Sequence, residues 1–93
     1  MAVYVDDMEA GFGRMVMCHM MADTTEELLA MVDRIGVQRK WIQKAGTYKE
    51  HFDVCLSKRK KAVAAGAIEV SSFDFVDRMR SKRTPDSGVS EPQ

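Results

Sequence analysis

The chain has 93 residues, a formal net charge of zero and 45% hydrophobic residues, which is enough for one small domain and not for two. It contains no apolar run of about 18 residues, so the sequence predicts no membrane span. The first residues lack the basic-then-apolar pattern of a signal peptide. We therefore expect a cytoplasmic protein in which Cys18 and Cys55 are thiols and not a disulfide.

The C-terminal segment differs in composition from the rest of the chain. Residues 84–93 contain Pro, Ser, Gly, Asp and Glu, and Val89 is their single apolar side chain. Such a segment buries too little apolar surface to offset its ordering entropy. We predict one folded domain over residues 1–83 and a disordered tail over residues 84–93.

The charges are unevenly distributed along the sequence. Residues 1–33 carry seven acidic side chains and one basic one, which gives −6, whereas residues 34–61 carry nine basic and two acidic side chains, which gives +7. Two interpretations stay open. The two segments neutralise each other in the folded domain, or the basic segment forms a face for phosphates or nucleic acid.

A short first strand is predicted at the N-terminus. The run Val3-Tyr4-Val5 is β-branched and aromatic, and it ends at the two acids Asp6 and Asp7. Residues 8–13 contain two glycines and predict a loop.

A second strand is predicted over residues 14–21, and it is apolar on both faces, as expected for a strand that is covered on both sides. Two interpretations of His19 stay open: a core histidine that bonds a carbonyl or carboxylate, or a residue of a functional site. The alternation of a strand places four residues on one face: Met15, Met17, His19 and Met21.

A well-capped helix follows this strand. Asp23 or Thr24 is the predicted N-cap, because each has a glutamate three residues later, and Gly36 is the predicted stop. Asp23 is interpreted as a cap, with a ligand of a site as the alternative. The apolar stripe of the helix comprises Leu28, Met31, Val32 and Ile35.

The next segment, residues 37–49, has no regular pattern. Trp41 stands directly after Arg39 and Lys40, and an aromatic side chain with basic neighbours is typical of a surface on which bases stack. The alternative is that Trp41 packs against the sheet.

Residues 51–56 alternate as in a strand, with Phe52, Val54 and Leu56 on one face. His51 and Asp53 share the other face. A His-Asp pair can orient a general base or bind a metal ion. It can equally be an exposed polar face, and the sequence leaves both interpretations open.

Two further helices and a strand complete the domain. Ser57 is the predicted cap of a helix over residues 58–65, whose basic run begins with Lys58 and Arg59 and is either a solvated face or a binding surface. Residues 67–70 predict a strand. Ser71 or Ser72 is the predicted cap of the last helix, whose inward-facing residues are Phe73, Val76 and Met79.

The order of these elements predicts an α/β fold with a mostly parallel sheet of three or four strands and about three helices. In parallel sheets, ligands bind at the carboxyl ends of the strands. This rule predicts that Asp6, Asp7, His19 and Asp23 meet at one rim, which His51 approaches. An acid-histidine rim is a candidate divalent-metal or general acid-base site.

Several short runs of the sequence, from Tyr4-Val5-Asp6-Asp7 to Ala65-Gly66-Ala67, carry a resemblance to a known family. On these runs the sequence resembles the small bacterial and phage domain called domain of unknown function 4031 (DUF4031), over roughly residues 2–80. The resemblance implies that the positions of His19, Asp23, His51 and Asp53 belong to the family pattern. Leu29 departs from this pattern, because many relatives carry a histidine there, and this counts against a full metal centre. The resemblance also implies that some relatives are fused to a hydrolase-like domain. It rests on Tyr4-Val5-Asp6-Asp7, Gly13-Arg14, Cys18-His19-Met20, Ala22-Asp23-Thr24, Glu26-Glu27-Leu28, His51-Phe52-Asp53, Lys58-Arg59 and Ala65-Gly66-Ala67.

Three functions are consistent with the sequence. The first is a small phage- or bacteria-derived binding protein that recognises a nucleotide, a nucleic acid or a host protein. The alternatives are a metal-assisted phosphoester hydrolase and an interaction module that forms a dimer. We favour the binding protein, because two histidines are too few for a protein-only metal cage, and we assign no cofactor or metal. The candidate site comprises Asp6, Asp7, Arg14, His19, Asp23, His51 and Asp53, and the candidate binding surface comprises Arg39, Lys40, Trp41, Lys58 and Arg59.

Overall fold

The computed structural model describes residues 2–8, 10–12 and 15–83, so Arg14 and the predicted tail over 84–93 lie outside the described residues. Within the described ranges, each helix is too short or too polar to span a bilayer. The elements are β1 (Val3–Val5), β2 (Ala10–Phe12), β3 (Met15–Ala22), α1 (Thr25–Ile35), a 3-10 turn (Arg39–Trp41), β4 (Phe52–Cys55), α2 (Leu56–Ala64), β5 (Ile68–Glu69) and α3 (Ser72–Ser81).

The strand β3 is the centre of the sheet. One edge of β3 pairs with β4 over residues 17–20. The other edge pairs with β2 over residues 15–17 and with β1 over residues 20–22. Because β1 in turn pairs with β5, the five strands form a sheet that is four strands wide, in the order β4, β3, β1 and β5.

The prediction of a mostly parallel sheet is wrong, because the sheet is mixed. The pairs that β3 makes with β1, β2 and β4 are antiparallel, and the pair β1–β5 is parallel. The reason is the short connection between β1 and β3: a parallel pair needs a crossover of about a dozen residues or more. The segment that was predicted as a loop contains β2 instead. The α/β class itself is confirmed, since β4, α2 and β5 form a crossover between strands that run in the same direction.

The helix α1 forms where its capping signals predict. The Thr24 hydroxyl accepts a hydrogen bond from the Glu27 backbone N–H at 3.2 Å, and Gly36 ends the helix in the left-handed conformation with φ of 82°. The predicted stripe is buried. It joins Val5, Met20, Phe52 and Val54 from the sheet and Ala62 from α2 in the main core, so α1 and α2 cover the same face of the sheet.

The helix α3 covers the opposite face, where Phe75 packs with Tyr4 and Met21. The predicted inward stripe of α3 is wrong in part, because Phe73 is 84% exposed and Val76 is also exposed. Ser71 is the cap, and the residue of α3 that is buried against the sheet is Phe75, one position before the predicted Val76. The second helix also starts earlier than predicted, at Leu56.

Candidate functional site

Two histidines and one aspartate converge on the face of the sheet that α3 covers. His19 in β3 and Asp53 in β4 are directly opposite each other, and the distance between His19 Nε2 and Asp53 Oδ1 is 3.6 Å. His51 lies two residues before Asp53, and its Nε2 atom is 3.8 Å from the same oxygen. One ligand atom of each residue lies within 4.8 Å of the other two. We call His19, His51 and Asp53 the His/Asp centre.

Hydrogen bonds on the far side of each ring fix how the histidines face this centre. His19 Nδ1 lies 2.8 Å from Asp6 Oδ2, and His51 Nδ1 lies 2.8 Å from the carbonyl oxygen of Lys49. An ionised carboxylate and a carbonyl only accept hydrogen bonds, so each Nδ1 carries the proton and donates it. In the neutral rings, the Nε2 lone pairs therefore point towards Asp53.

Asp6 is the residue that orients His19. Its carboxylate is only 2% exposed, and its Oδ1 atom also accepts the backbone N–H of His19 at 2.7 Å. Burial acts to raise the pKa of Asp6, but the hydrogen bonds from the ring and backbone of His19 outweigh it and hold the pKa below its ordinary value. The hydrogen bond to Asp6 in turn raises the pKa of His19, against the opposing effect of burial.

Asp53 is held through one oxygen and leaves the other without a partner. Its Oδ2 atom accepts a hydrogen bond of 2.7 Å from the side-chain amide of Gln43. The Oδ1 atom is buried and accepts no hydrogen bond from the described residues. While both rings are neutral, three acceptor atoms thus face one another, and such an arrangement stabilises a bound cation or proton at its centre.

Two of the three distances between ligand atoms approach those around a small metal ion, and all three atoms lie within 4.8 Å of one another. Two ligand atoms of a tetrahedral ion with bonds of about 2.1 Å are about 3.4 Å apart. The two distances to Asp53 Oδ1, 3.6 and 3.8 Å, are close to this value. Histidines that bind metals usually donate their other ring N–H to a carboxylate or carbonyl, as both histidines do here.

The His/Asp centre opens onto a pocket between the sheet and α3. The pocket has a volume of about 200 Å³, and its walls beyond the two histidines are mainly apolar. The ring of Phe75 lies 6.0 Å from the ring of His19, measured between centroids. The other apolar lining residues are Met8, Val76 and Met79.

The structure brings four of the predicted site residues together, Asp6 and the three members of the His/Asp centre, and separates two others. Asp7 accepts the backbone N–H of Ser72 at the start of α3. Asp23 accepts the backbone N–H of Ala2 at 2.8 Å, beyond the far end of β3. The expected rim does not form, because β1 and β3 are antiparallel and their carboxyl ends therefore point in opposite directions along the strands.

The predicted basic surface is divided between two environments. Trp41 is 61% exposed, so it does not pack into the sheet, and the Lys40 ammonium lies 5.3 Å from its ring centroid. Arg39 forms an ion pair of 2.7 Å with Asp33. Arg59 instead donates to the carbonyl oxygen of Asp6 at 2.9 Å, so it holds the backbone of the residue that orients His19. Lys58 lies beside the end of α1 at Gly36.

Two residues that position the centre are absent from the predicted site, Gln43 and Lys49. Gln43 forms an isolated bridge with His51, and each backbone N–H donates to the other's carbonyl oxygen. Both residues belong to the irregular segment before β4, where neither periodicity nor a motif indicates a position close to His51. The signal available in the sequence was the isolated His51-x-Asp53 pair itself.

The comparisons with known proteins identify a family and nothing closer. A family model described as "Protein of unknown function (DUF4031)" matches residues 3–82, so the chain belongs to this family. Neither the curated proteins nor the solved structures include a match.

Proposed function

We propose that this member of the DUF4031 family binds a divalent transition-metal ion at the His/Asp centre and uses it to hydrolyse a small phosphoester. One observation carries the metal site of the proposal: the two Nε2 atoms lie 3.6 and 3.8 Å from the buried Asp53 Oδ1, which accepts no hydrogen bond from the described residues. A cation relieves the repulsion among these acceptors, and a hydrogen-bond network that fixes both rings in advance lowers the cost of binding.

The donor set narrows the choice of ion. Two imidazoles and one carboxylate suit Zn²⁺, and Fe²⁺ uses the same set, whereas Mg²⁺ prefers oxygen ligands and water. Three protein ligands around Zn²⁺ leave a coordination position for water or substrate, and the ion acts there as a Lewis acid. We favour Zn²⁺, and the metal preference is part of the test.

The protein supplies the orientation of the ligand side chains. Asp6 and the Lys49 carbonyl hold the two rings, and Gln43 holds the carboxylate of Asp53. The adjacent pocket places mainly apolar side chains beside the two histidines. This arrangement supports an enzyme more strongly than the count of two histidines in the sequence does, because both histidines belong to one centre.

A titration of the metal-free protein with Co²⁺, followed by visible absorption, tests the site. We expect intense bands typical of a four- or five-coordinate ion in the wild type and their loss in His51→Gln and Asp53→Asn. Asp33→Asn is the matched control, because Asp33 pairs with Arg39 at the exposed surface. Cobalt binding of equal strength in all four proteins overturns the proposal.

Hydrolysis is tested separately with a chromogenic phosphodiester and the Zn²⁺, Co²⁺ or Fe²⁺ form of the protein. We expect turnover that chelation abolishes and that the two site variants lack. A protein that binds the metal but shows no turnover with any of the three ions refutes the hydrolytic part and leaves the metal site in place.

A second candidate function rests on the exposed Trp41. Its ring and the neighbouring Lys40 form a surface on which a base of a nucleotide or nucleic acid can stack. Binding should weaken as the salt concentration rises, because phosphate contacts release counterions. Binding that does not change with salt contradicts this candidate.

Association with a host protein or a second copy is a further prediction, supported by the exposed Phe73 and Ile68.

A further inference from the structure

A second cavity lies beside the apolar pocket of the His/Asp centre. It has a volume of about 570 Å³ and is lined by Tyr48, Lys49, Val76, Met79, Arg80 and Arg83. Val76 and Met79 also line the smaller pocket, so the two cavities share one wall on α3. We call the larger cavity the basic cleft. Its volume falls within the range typical of small-molecule sites.

The charged residues that line the basic cleft are all cations. Lys49, Arg80 and Arg83 line it, and none of its described lining residues is an acid. Two of these cations lie close to the ring of Tyr48, with Lys49 Nζ at 5.7 Å and Arg83 Cζ at 5.8 Å from the ring centroid. Arg80 is exposed and makes no ion pair within the described ranges. A lining whose described charged residues are all cations favours an anionic ligand.

The basic cleft is also connected to the His/Asp centre through the backbone. The carbonyl oxygen of Lys49 accepts the hydrogen bond from His51 Nδ1, while the Lys49 side chain lines the cleft. One residue therefore orients a ring of the centre and contributes a positive charge next to it. Val76 and Met79 form the wall between the cleft and the pocket of the two histidines.

We infer that the basic cleft binds a phosphate group of the substrate, at a distance from the bond that is hydrolysed at the His/Asp centre. That the cleft binds phosphate does not depend on the proposed function. That this phosphate belongs to the substrate of the His/Asp centre rests on the proposed function. Phosphate fits the cleft better than a carboxylate does, because it carries more charge and more acceptor oxygens for two guanidinium groups and an ammonium group. The phosphate belongs either to a small metabolite such as a nucleotide or to a nucleic-acid backbone.

The test is an NMR titration of the ¹⁵N-labelled, metal-free protein, in EDTA, with inorganic phosphate, with adenosine monophosphate and with a short single-stranded oligonucleotide. We expect shifts of the amides of Lys49, Met79 and Arg80. The double variant Lys49→Glu/Arg80→Glu should bind at least about tenfold more weakly. The matched control is Lys60→Glu/Lys61→Glu, which has the same change in charge but lies on α2, on the other face of the sheet.

Each outcome separates this inference from the proposed function. Phosphate binding that is lost in the cleft variant and kept in the control supports the inference, and the stronger of the two larger ligands identifies the source of the phosphate. Shifts that are absent, or an equal loss in both double variants, overturn it. Co²⁺ binding by the cleft variant shows that its metal site is intact. Phosphate binding that is kept in His51→Gln supports the inference, and its loss in that variant would place the phosphate at the His/Asp centre and overturn it.

Discussion

Both carboxylate oxygens of Asp6 bind the same residue, His19. Oδ1 accepts the backbone N–H at 2.7 Å, and Oδ2 accepts the ring N–H at 2.8 Å. The backbone N–H of Asp6 donates to the carbonyl oxygen of His19 at 3.0 Å, which continues the pairing of β1 with β3. One buried carboxylate therefore fixes the backbone, the rotamer and the tautomer of His19 together.

Replacement of Asp6 by Asn should weaken metal binding without removing a metal ligand. Loss of a carboxylate behind a metal-binding histidine typically lowers the affinity by about 10- to 100-fold. Isothermal titration with Zn²⁺ measures the change. Asp7→Asn is the control, because Asp7 is the next residue and bonds Ser72 instead. Equal affinities of the Asp6 variant and the wild type would show that the ring needs no such support.

Binding of Zn²⁺ should raise the melting temperature. A free ligand at 100 times its Kd stabilises the folded state by about 2.7 kcal/mol. For a domain of this size, that corresponds to a rise of about 10–20 °C. Differential scanning fluorimetry measures it, and addition of EDTA should reverse it. Asp53→Asn should show no rise, and a rise of the same size in this variant would place the ion elsewhere.

Two phenylalanines of α3 should differ sharply in their effect on stability. Phe75→Ala should lower the free energy of unfolding by about 3 kcal/mol, because Phe75 is 4% exposed and packs on Tyr4 and Met21. Phe73→Ala should change it by less than about 0.5 kcal/mol, because Phe73 is 84% exposed. Urea unfolding compares the two variants, and similar losses in both would contradict the packing of α3 described above.

Trp41→Ala should weaken the binding of single-stranded nucleic acid while the fold stays intact. Stacking on an aromatic side chain contributes about 1–3 kcal/mol per base, so the affinity should fall at least about fivefold. Fluorescence anisotropy with a labelled oligonucleotide measures the change. Phe73→Ala serves as the control for an exposed aromatic at a different place. Unchanged binding by the Trp41 variant excludes this surface.

The sequence was informative where the local signal was strong. The apolar stripe and the glycine stop of α1 act within one helix, and both are confirmed. Of the two predicted caps, Thr24 is confirmed, whereas Asp23 is not the cap, because its carboxylate accepts from the backbone of Ala2 and the hydroxyl of Tyr4. The alternation along β3 placed Cys18 and Met20 in the main core and Met21 on the opposite face, as observed. The separate alternation of residues 51–56 places His51 and Asp53 on one face, and both belong to the His/Asp centre.

The predictions from the sequence that are wrong concern the relative direction of strands and the distances between residues on different elements. The sheet rule for parallel strands gathered Asp23 with His19, although the connection after β1 is too short for a parallel pair. The predicted stripe of α3 begins at Phe73, because Phe73, Val76 and Met79 recur every three residues. Phe75 and Met79, which face the sheet, are four residues apart and fit a helical repeat equally well. The approach of His19 to Asp53 depends on the register of β3 and β4, which no local pattern contains.

The attachment of α3 has a consequence for how the domain moves. The helix is held by the Asp7–Ser72 bond at its start, by Arg78 on the hydroxyl of Tyr4, and by Lys82 on the carbonyl of Ala22, while Phe75 is its one buried side chain within the described ranges. Such an element opens locally at a lower free energy than the sheet beneath it. Amide hydrogens of α3 should therefore exchange with solvent before those of β3, and a ligand that spans both cavities should slow this exchange.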